Sequence, residues 1–149
     1  MLLNQIIMKA KILLLAAIAI VFFGCKKDNN NAPEDKLAGT KKQVIGTWLL
    51  EKQTDTYYDA SGKVVSSGDL SGNGVTFQFT DATTFNEVGA NATFTYSINS
   101  VNNKAIINAL NNAYELSFTG NNSMTWTKDE TTESMYYARI IIVLHFTRK

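Results

Sequence analysis

The chain has one cysteine, one proline and one histidine in 149 residues, and each scarcity closes off a class of protein. A single cysteine forms no intrachain disulfide, so nothing covalent staples the fold. A lone histidine, His145, has no companion for a catalytic relay or a clustered metal site, and no nucleophile stands in a recognisable catalytic motif. His145 is read as an inert, outward-facing residue, and neither an enzyme nor a metal or other cofactor is expected. The formal net charge is only +1, so the basic footprint that nucleic acid requires is missing. The apolar run over residues 12–23 falls short of the roughly 20 residues that a membrane-crossing helix needs.

What that run does have is a setting. Lys9 and Lys11 precede it and Gly24-Cys25 follow it, and a basic tip, an apolar middle and a small residue describe a secretory signal. Asn4 and Gln5 fit poorly in such a tip, so Met8 is read as the true start. Gly24 before Cys25, with bulky apolar residues ahead of it, resembles the lipobox of bacterial lipoproteins, although Phe22 stands where leucine is commoner. The resemblance implies a signal peptide over residues 1–24 and an acylated Cys25 as the new N-terminus, which accounts for a lone cysteine in an exported chain. Two or three acyl chains, at about 0.8 kcal/mol per buried CH₂, hold a protein stably on a bilayer. Lys26 rather than aspartate follows the cysteine. This favours the outer membrane, and Lys26-Lys27-Asp28 resembles the charged start of some surface-exposed lipoproteins.

Without Lys9 and Lys11 the chain keeps 12 basic and 13 acidic residues. Residues 25–42 hold the only proline, Pro33, and few large apolar side chains. They read as a flexible tether of roughly 20 to 25 Å, ending in a short helical turn near residues 37–43. Residues 43–149 read as one domain of β texture, broken at short intervals by Gly, Asn, Asp and Ser clusters such as Ser71-Gly72-Asn73-Gly74 and Asn102-Asn103. Val75, Phe77 and Phe79 alternate with polar residues; so do Phe94, Tyr96 and Ile98, and Tyr114, Leu116 and Phe118. One face is buried and the other wet. With no long amphipathic helix to cover the buried face, the sheet is expected to close as an all-β, antiparallel up-and-down barrel of about eight strands.

Gly46-Thr47-Trp48 resembles the Gly-x-Trp opening of lipocalins, and Leu144-His145-Phe146-Thr147-Arg148-Lys149 is similar to the last strand of small lipocalin-like domains of bacterial lipoproteins. The likeness implies that Trp48 sits at the closed end of the barrel with Arg148 laid over it. If first and last strands close the barrel with Trp48 opposite Phe146, then Leu50 faces Leu144, Asp55 faces Arg139, Tyr57 faces Tyr137 and Tyr58 faces Tyr136. Charge and aromatic pairs of this kind stabilise a sheet. In this register Trp48, Leu50, Lys52, Thr54, Thr56 and Tyr58 point inward with Ile140, Ile142, Leu144 and Phe146, while Leu49, Ile141 and Val143 form an outer apolar stripe. A bulge would reverse the facing beyond it.

An inward Lys52 would hold the polar end of a ligand, with Trp48, Tyr58, Tyr96, Tyr114 and Trp126 lining the same pocket; a bulge would instead turn Lys52 outward. Core aromatics also simply fill barrels of this size. The sequence therefore implies a lipid-anchored envelope protein whose barrel binds a small apolar or amphipathic molecule. The alternative is a packed barrel without ligand that contacts an envelope protein or a glycan through its outer stripe and its tyrosine rim.

Overall fold

The computed structural model describes residues 35–149, so the signal segment, Cys25 and the first part of the tether lie outside the described residues. A short helix α1 (Ala38–Val44) comes first, followed by β1 (Gly46–Tyr58), β2 (Val64–Ser71), β3 (Thr76–Phe79), β4 (Thr84–Glu87), β5 (Ala92–Val101), β6 (Lys104–Ala109), β7 (Asn112–Thr119), β8 (Ser123–Thr131) and β9 (Arg139–Arg148). The helix falls where the sequence expects a helical turn. Asp35 accepts from the Leu37 amide at 3.0 Å and pairs with Lys41 at 2.8 Å, while Lys41 and Lys42 sit in the last turn, the end where cations suit the helix dipole. Val44 is fully buried and Leu37 rests on the core, so the helix belongs to the folded domain.

All strand pairs are antiparallel, and β9 returns to pair with β1. The fold is thus a closed, eight-stranded antiparallel barrel of β1 and β3 through β9, with β2 as a ninth strand on its flank. This is the architecture that the alternation predicts, with one strand more. The extra strand exists because β1 is long: residues 46–49 pair with β3, whereas residues 52–58 pair with β2. Every residue of β2 is exposed.

The change of neighbour happens at Glu51. There β1 carries a bulge against β9, so that Leu50 faces Phe146 and Lys52 faces His145. On the other side, Gly72 donates its amide to the Glu51 carbonyl at 2.9 Å and the Leu50 amide donates to the Val75 carbonyl at 2.8 Å. The chain leaves β2 and runs on along the same side of β1 into β3. A Cβ on Gly72 would lie 1.9 Å from the Leu50 oxygen, so no other residue fits this close approach to β1 without moving backbone.

The observed register corrects the expected one. Trp48 faces Arg148, not Phe146, and Leu50 faces Phe146, not Leu144. Beyond the bulge Asp55 faces Ile142, Tyr57 faces Ile140 and Tyr58 faces Arg139. The inward set on β9 survives, because Leu144 and Phe146 are buried. On β1, however, the extra residue reverses the facing of everything after it. Lys52, Thr54, Thr56 and Tyr58 now lie on the outer face, and Gln53, Asp55 and Tyr57 on the inner one. Leu49, Ile141 and Val143 do face outward but are half-buried rather than bare.

The core is largely aromatic. Trp48, Phe77, Phe79, Phe85, Tyr96, Trp126 and Phe146 are buried together with Ile98, Ile107, Leu116, Met124 and Leu144. Phe79 stacks on Phe85 at 4.9 Å and Trp126 meets Phe146 at 5.0 Å between ring centroids. Eight strands enclose about this much side chain, and the lumen near Trp48 is filled.

Candidate functional site

The Trp48 end is sealed by a small set of contacts. The Trp48 indole N–H donates to the Val44 carbonyl at 2.8 Å. Arg148 lies over the ring, with its guanidinium carbon 4.4 Å from the centroid, and donates to the carbonyls of Ile45 and Asn121, each at 3.0 Å, and to that of Gln43. One cation thus caps the indole and ties the end of α1 to the β7–β8 turn. Gly46 permits this: its φ is +134°, and a Cβ there would come within 2.5 Å of the guanidinium. Gly46, Trp48 and Arg148 act as one structural device.

The residues proposed to line a pocket do not converge. Lys52 leaves the lumen and pairs with Asp69 on β2 at 2.6 Å. Thr54 donates to the other oxygen of Asp69 at 2.7 Å and stands 3.2 Å from His145 Nε2, so these four side chains form an outer polar cluster. The Lys52 ammonium and the Thr54 hydroxyl lower the Asp69 pKa. Tyr58 lies outside beneath Arg139, at 5.3 Å, and Arg139 grips Asp129 with two hydrogen bonds. Trp48, Tyr96, Tyr114 and Trp126 remain inside as core. The Tyr96 hydroxyl donates to the Asp81 carbonyl at 2.7 Å, and burial raises its pKa to about 12. The Trp126 indole N–H is buried with no acceptor among the described residues; its neighbours are the rings of Tyr114, Phe79 and Phe146.

The inward cation is Lys128, not Lys52. On β8, Met124 and Trp126 are fully buried and Lys128 follows on the same face. Its ammonium pairs with Glu130 and with the Asn112 side-chain oxygen, each at 2.6 Å. Asn112 in turn donates to the Leu110 carbonyl at 2.9 Å. This chain holds the β6–β7 turn, in which Leu110 and Asn111 both have positive φ, 51° and 61°. A leucine in that conformation costs about 1 kcal/mol or more. The sequence did carry a signal for Lys128, namely every second residue counted onward from Trp126. Leu110 carries no such signal beyond its place beside Asn111-Asn112.

Two recesses open at the rim. The larger, about 770 Å³, lies between the first half of β5 and the β6–β7 turn and is lined by residues 94–97 and 108–113. Over residues 92–95 β5 pairs with β4 on one side only, because β6 reaches no further than Tyr96. The smaller, about 320 Å³, is bounded by Tyr57, Val65, Ser66, Tyr136 and Tyr137. Tyr57 and Tyr137 meet there edge to face at 4.7 Å, as the sequence pairing anticipated, although Tyr137 reaches it from the loop before β9. The expected Tyr58 and Tyr136 pair does not form at the strand register, and Tyr136 is 79% exposed. Among the described residues no group of three or more His, Cys, Asp or Glu side chains could hold a metal ion.

Fold and site together define a small, closed antiparallel β-barrel with a packed lumen and rim recesses. Compared with known proteins, the chain matches no family model, no curated protein and no solved structure.

Proposed function

We propose that this chain is a lipid-anchored protein of the bacterial envelope whose lipocalin-like barrel binds a small amphipathic molecule at its rim rather than in a deep lumen. The anchor reading rests on Gly24-Cys25 behind the apolar run; the outer membrane remains the favoured address. The lipocalin-like reading is supported by Gly46, Trp48 and Arg148 acting together at the sealed end. The observation that carries the binding function is the 770 Å³ recess, which joins apolar Phe94 and Leu110 to amide and hydroxyl side chains. We read the protein as a binder and not as an enzyme.

The filled lumen and the tyrosine recess support a second reading, in which the barrel is an interaction module and Tyr57, Tyr136 and Tyr137 meet a glycan or an envelope protein. A titration separates the two. The neutral apolar fluorophore N-phenyl-1-naphthylamine should bind the purified domain saturably, with enhanced emission. Saturable binding that Tyr136→Ala abolishes would favour the second reading, and the absence of saturable binding would remove the first.

A further inference from the structure

Two hairpins of this barrel use the same turn with different residues. The β5–β6 turn is Asn102-Asn103 and the β6–β7 turn is Leu110-Asn111; each has two residues at positive φ between directly paired strand ends. Such turns favour Asn, Asp and Gly, whose side chains tolerate the conformation. Asn102 meets that preference, whereas Leu110 violates it at the equivalent position. Strain of this sort persists where surroundings enforce it and the side chain has a use. The enforcement is visible in Lys128 holding Asn112 and Asn112 holding the Leu110 carbonyl. The side chain of Leu110 rests half-buried against the core and lines the larger recess beside Phe94.

The rest of that recess has a definite chemistry. Thr95, Ser97, Asn108, Asn111 and Asn112 supply hydroxyls and amides, which both donate and accept, and no charged residue belongs to the lining. The unpartnered stretch of β5 adds main-chain donors and acceptors. The nearest inward cation, Lys128, is already engaged by Glu130 and Asn112. A full charge brought here would find no counter-ion in the lining, whereas a ring carrying hydroxyl groups would find partners for them and an apolar platform for its C–H face.

Resting on the proposed rim-binding function, we infer that the recess takes a neutral, polyhydroxylated head group such as a sugar ring, and that Leu110 is a ligand-contact residue held in a strained turn for that purpose. The test keeps one tail and varies the head: octyl glucoside below its micellar concentration, octanoate and octylammonium are titrated into the intact folded domain and followed by amide NMR. Octyl glucoside is expected to bind at least tenfold tighter than either ion, shifting the side-chain amides of Asn108, Asn111 and Asn112. Leu110→Asn, which gives the turn the Asn-Asn pair of its neighbour, is expected to weaken that binding at least tenfold while the fold persists. Asn108→Asp, an exposed change, is expected to weaken it as well and serves should Leu110→Asn fail to fold. Equal binding of all three heads, or tighter binding of an ion, overturns the inference and leaves rim binding of amphiphiles standing. Undiminished affinity in both variants also overturns it, and no binding of any head removes both readings.

Discussion

Asp81 shows how much one exposed side chain organises. Its carboxylate accepts from the Thr84 hydroxyl at 2.6 Å, the Thr83 amide at 2.7 Å, the Thr84 amide at 2.8 Å and the Thr83 hydroxyl at 2.9 Å, so it holds the β3–β4 turn. Those donors favour the charged form and lower the pKa from 3.8 to about 2. A depressed carboxylate pKa stabilises the fold fully above the unfolded value and ceases to do so as pH falls through the folded value. Asp81→Asn should therefore lower the melting temperature at neutral pH and flatten its decline between about pH 4 and pH 2. Parallel acid profiles for variant and parent would contradict this. Asp81-Ala82-Thr83 was legible as a turn, since a short acceptor followed by hydroxyl residues is turn chemistry. That Tyr96 closes the same turn from inside was not, because a hydroxyl reaching across two strands leaves no local pattern.

Among the elements, β1 decides the most. Its alternation up to Leu50 was readable, as was that of β9, so the inward facing of Trp48, Leu50, Leu144 and Phe146 followed from the pattern, while the arginine cap followed from the resemblance of Gly46-Thr47-Trp48 and the last strand to lipocalins. The upper half of β1 was not readable. Polar residues fill residues 51–56, and a polar stretch gives the same pattern whichever way it faces. What fixes its facing is the bulge at Glu51, and the bulge comes from a tertiary event: β3 and β2 meet β1 on the same side and must exchange there. Gly72 marks the exchange, but within Ser71-Gly72-Asn73-Gly74 it looked like any hairpin glycine. Since a Cβ at Gly72 would strike the Leu50 carbonyl whereas one at Gly68 meets nothing within 4 Å, the two positions make a matched pair. Gly72→Ala should cost about 3 kcal/mol in a denaturant titration. Gly68→Ala should stay within about 0.5 kcal/mol, and equal effects would argue against the close approach of Gly72 to β1.

At the scale of the whole molecule, an aromatic core and a strand pair that closes the ring explain why a chain with no disulfide forms a barrel. Closure pairs every strand of the ring on both sides and leaves unpaired backbone only where strands outrun their neighbours, as at residues 92–95 of β5, and along the exposed flank β2. The same packing leaves open space only toward the rim. A lumen occupied by Trp48, Trp126 and Phe146 has little room near the sealed end, and the long strands beyond it carry Lys128, Tyr57 and the recesses. Of the two facings that the sequence allowed for Lys52, a single added residue in β1 selects the outward one, and the inward cation is Lys128 on β8.

That added residue is also the most direct point of test. Cross-strand nuclear Overhauser contacts between β1 and β9, recorded on the isotope-labelled folded domain, report both the closure and the register. The account predicts contacts joining Leu50 to Phe146 and Lys52 to His145, with Glu51 skipped. Contacts joining Leu50 to Leu144 and Lys52 to Ile142 in an unbroken ladder would return Lys52 to the lumen and contradict it, and the absence of any contact between the two strands would open the barrel altogether.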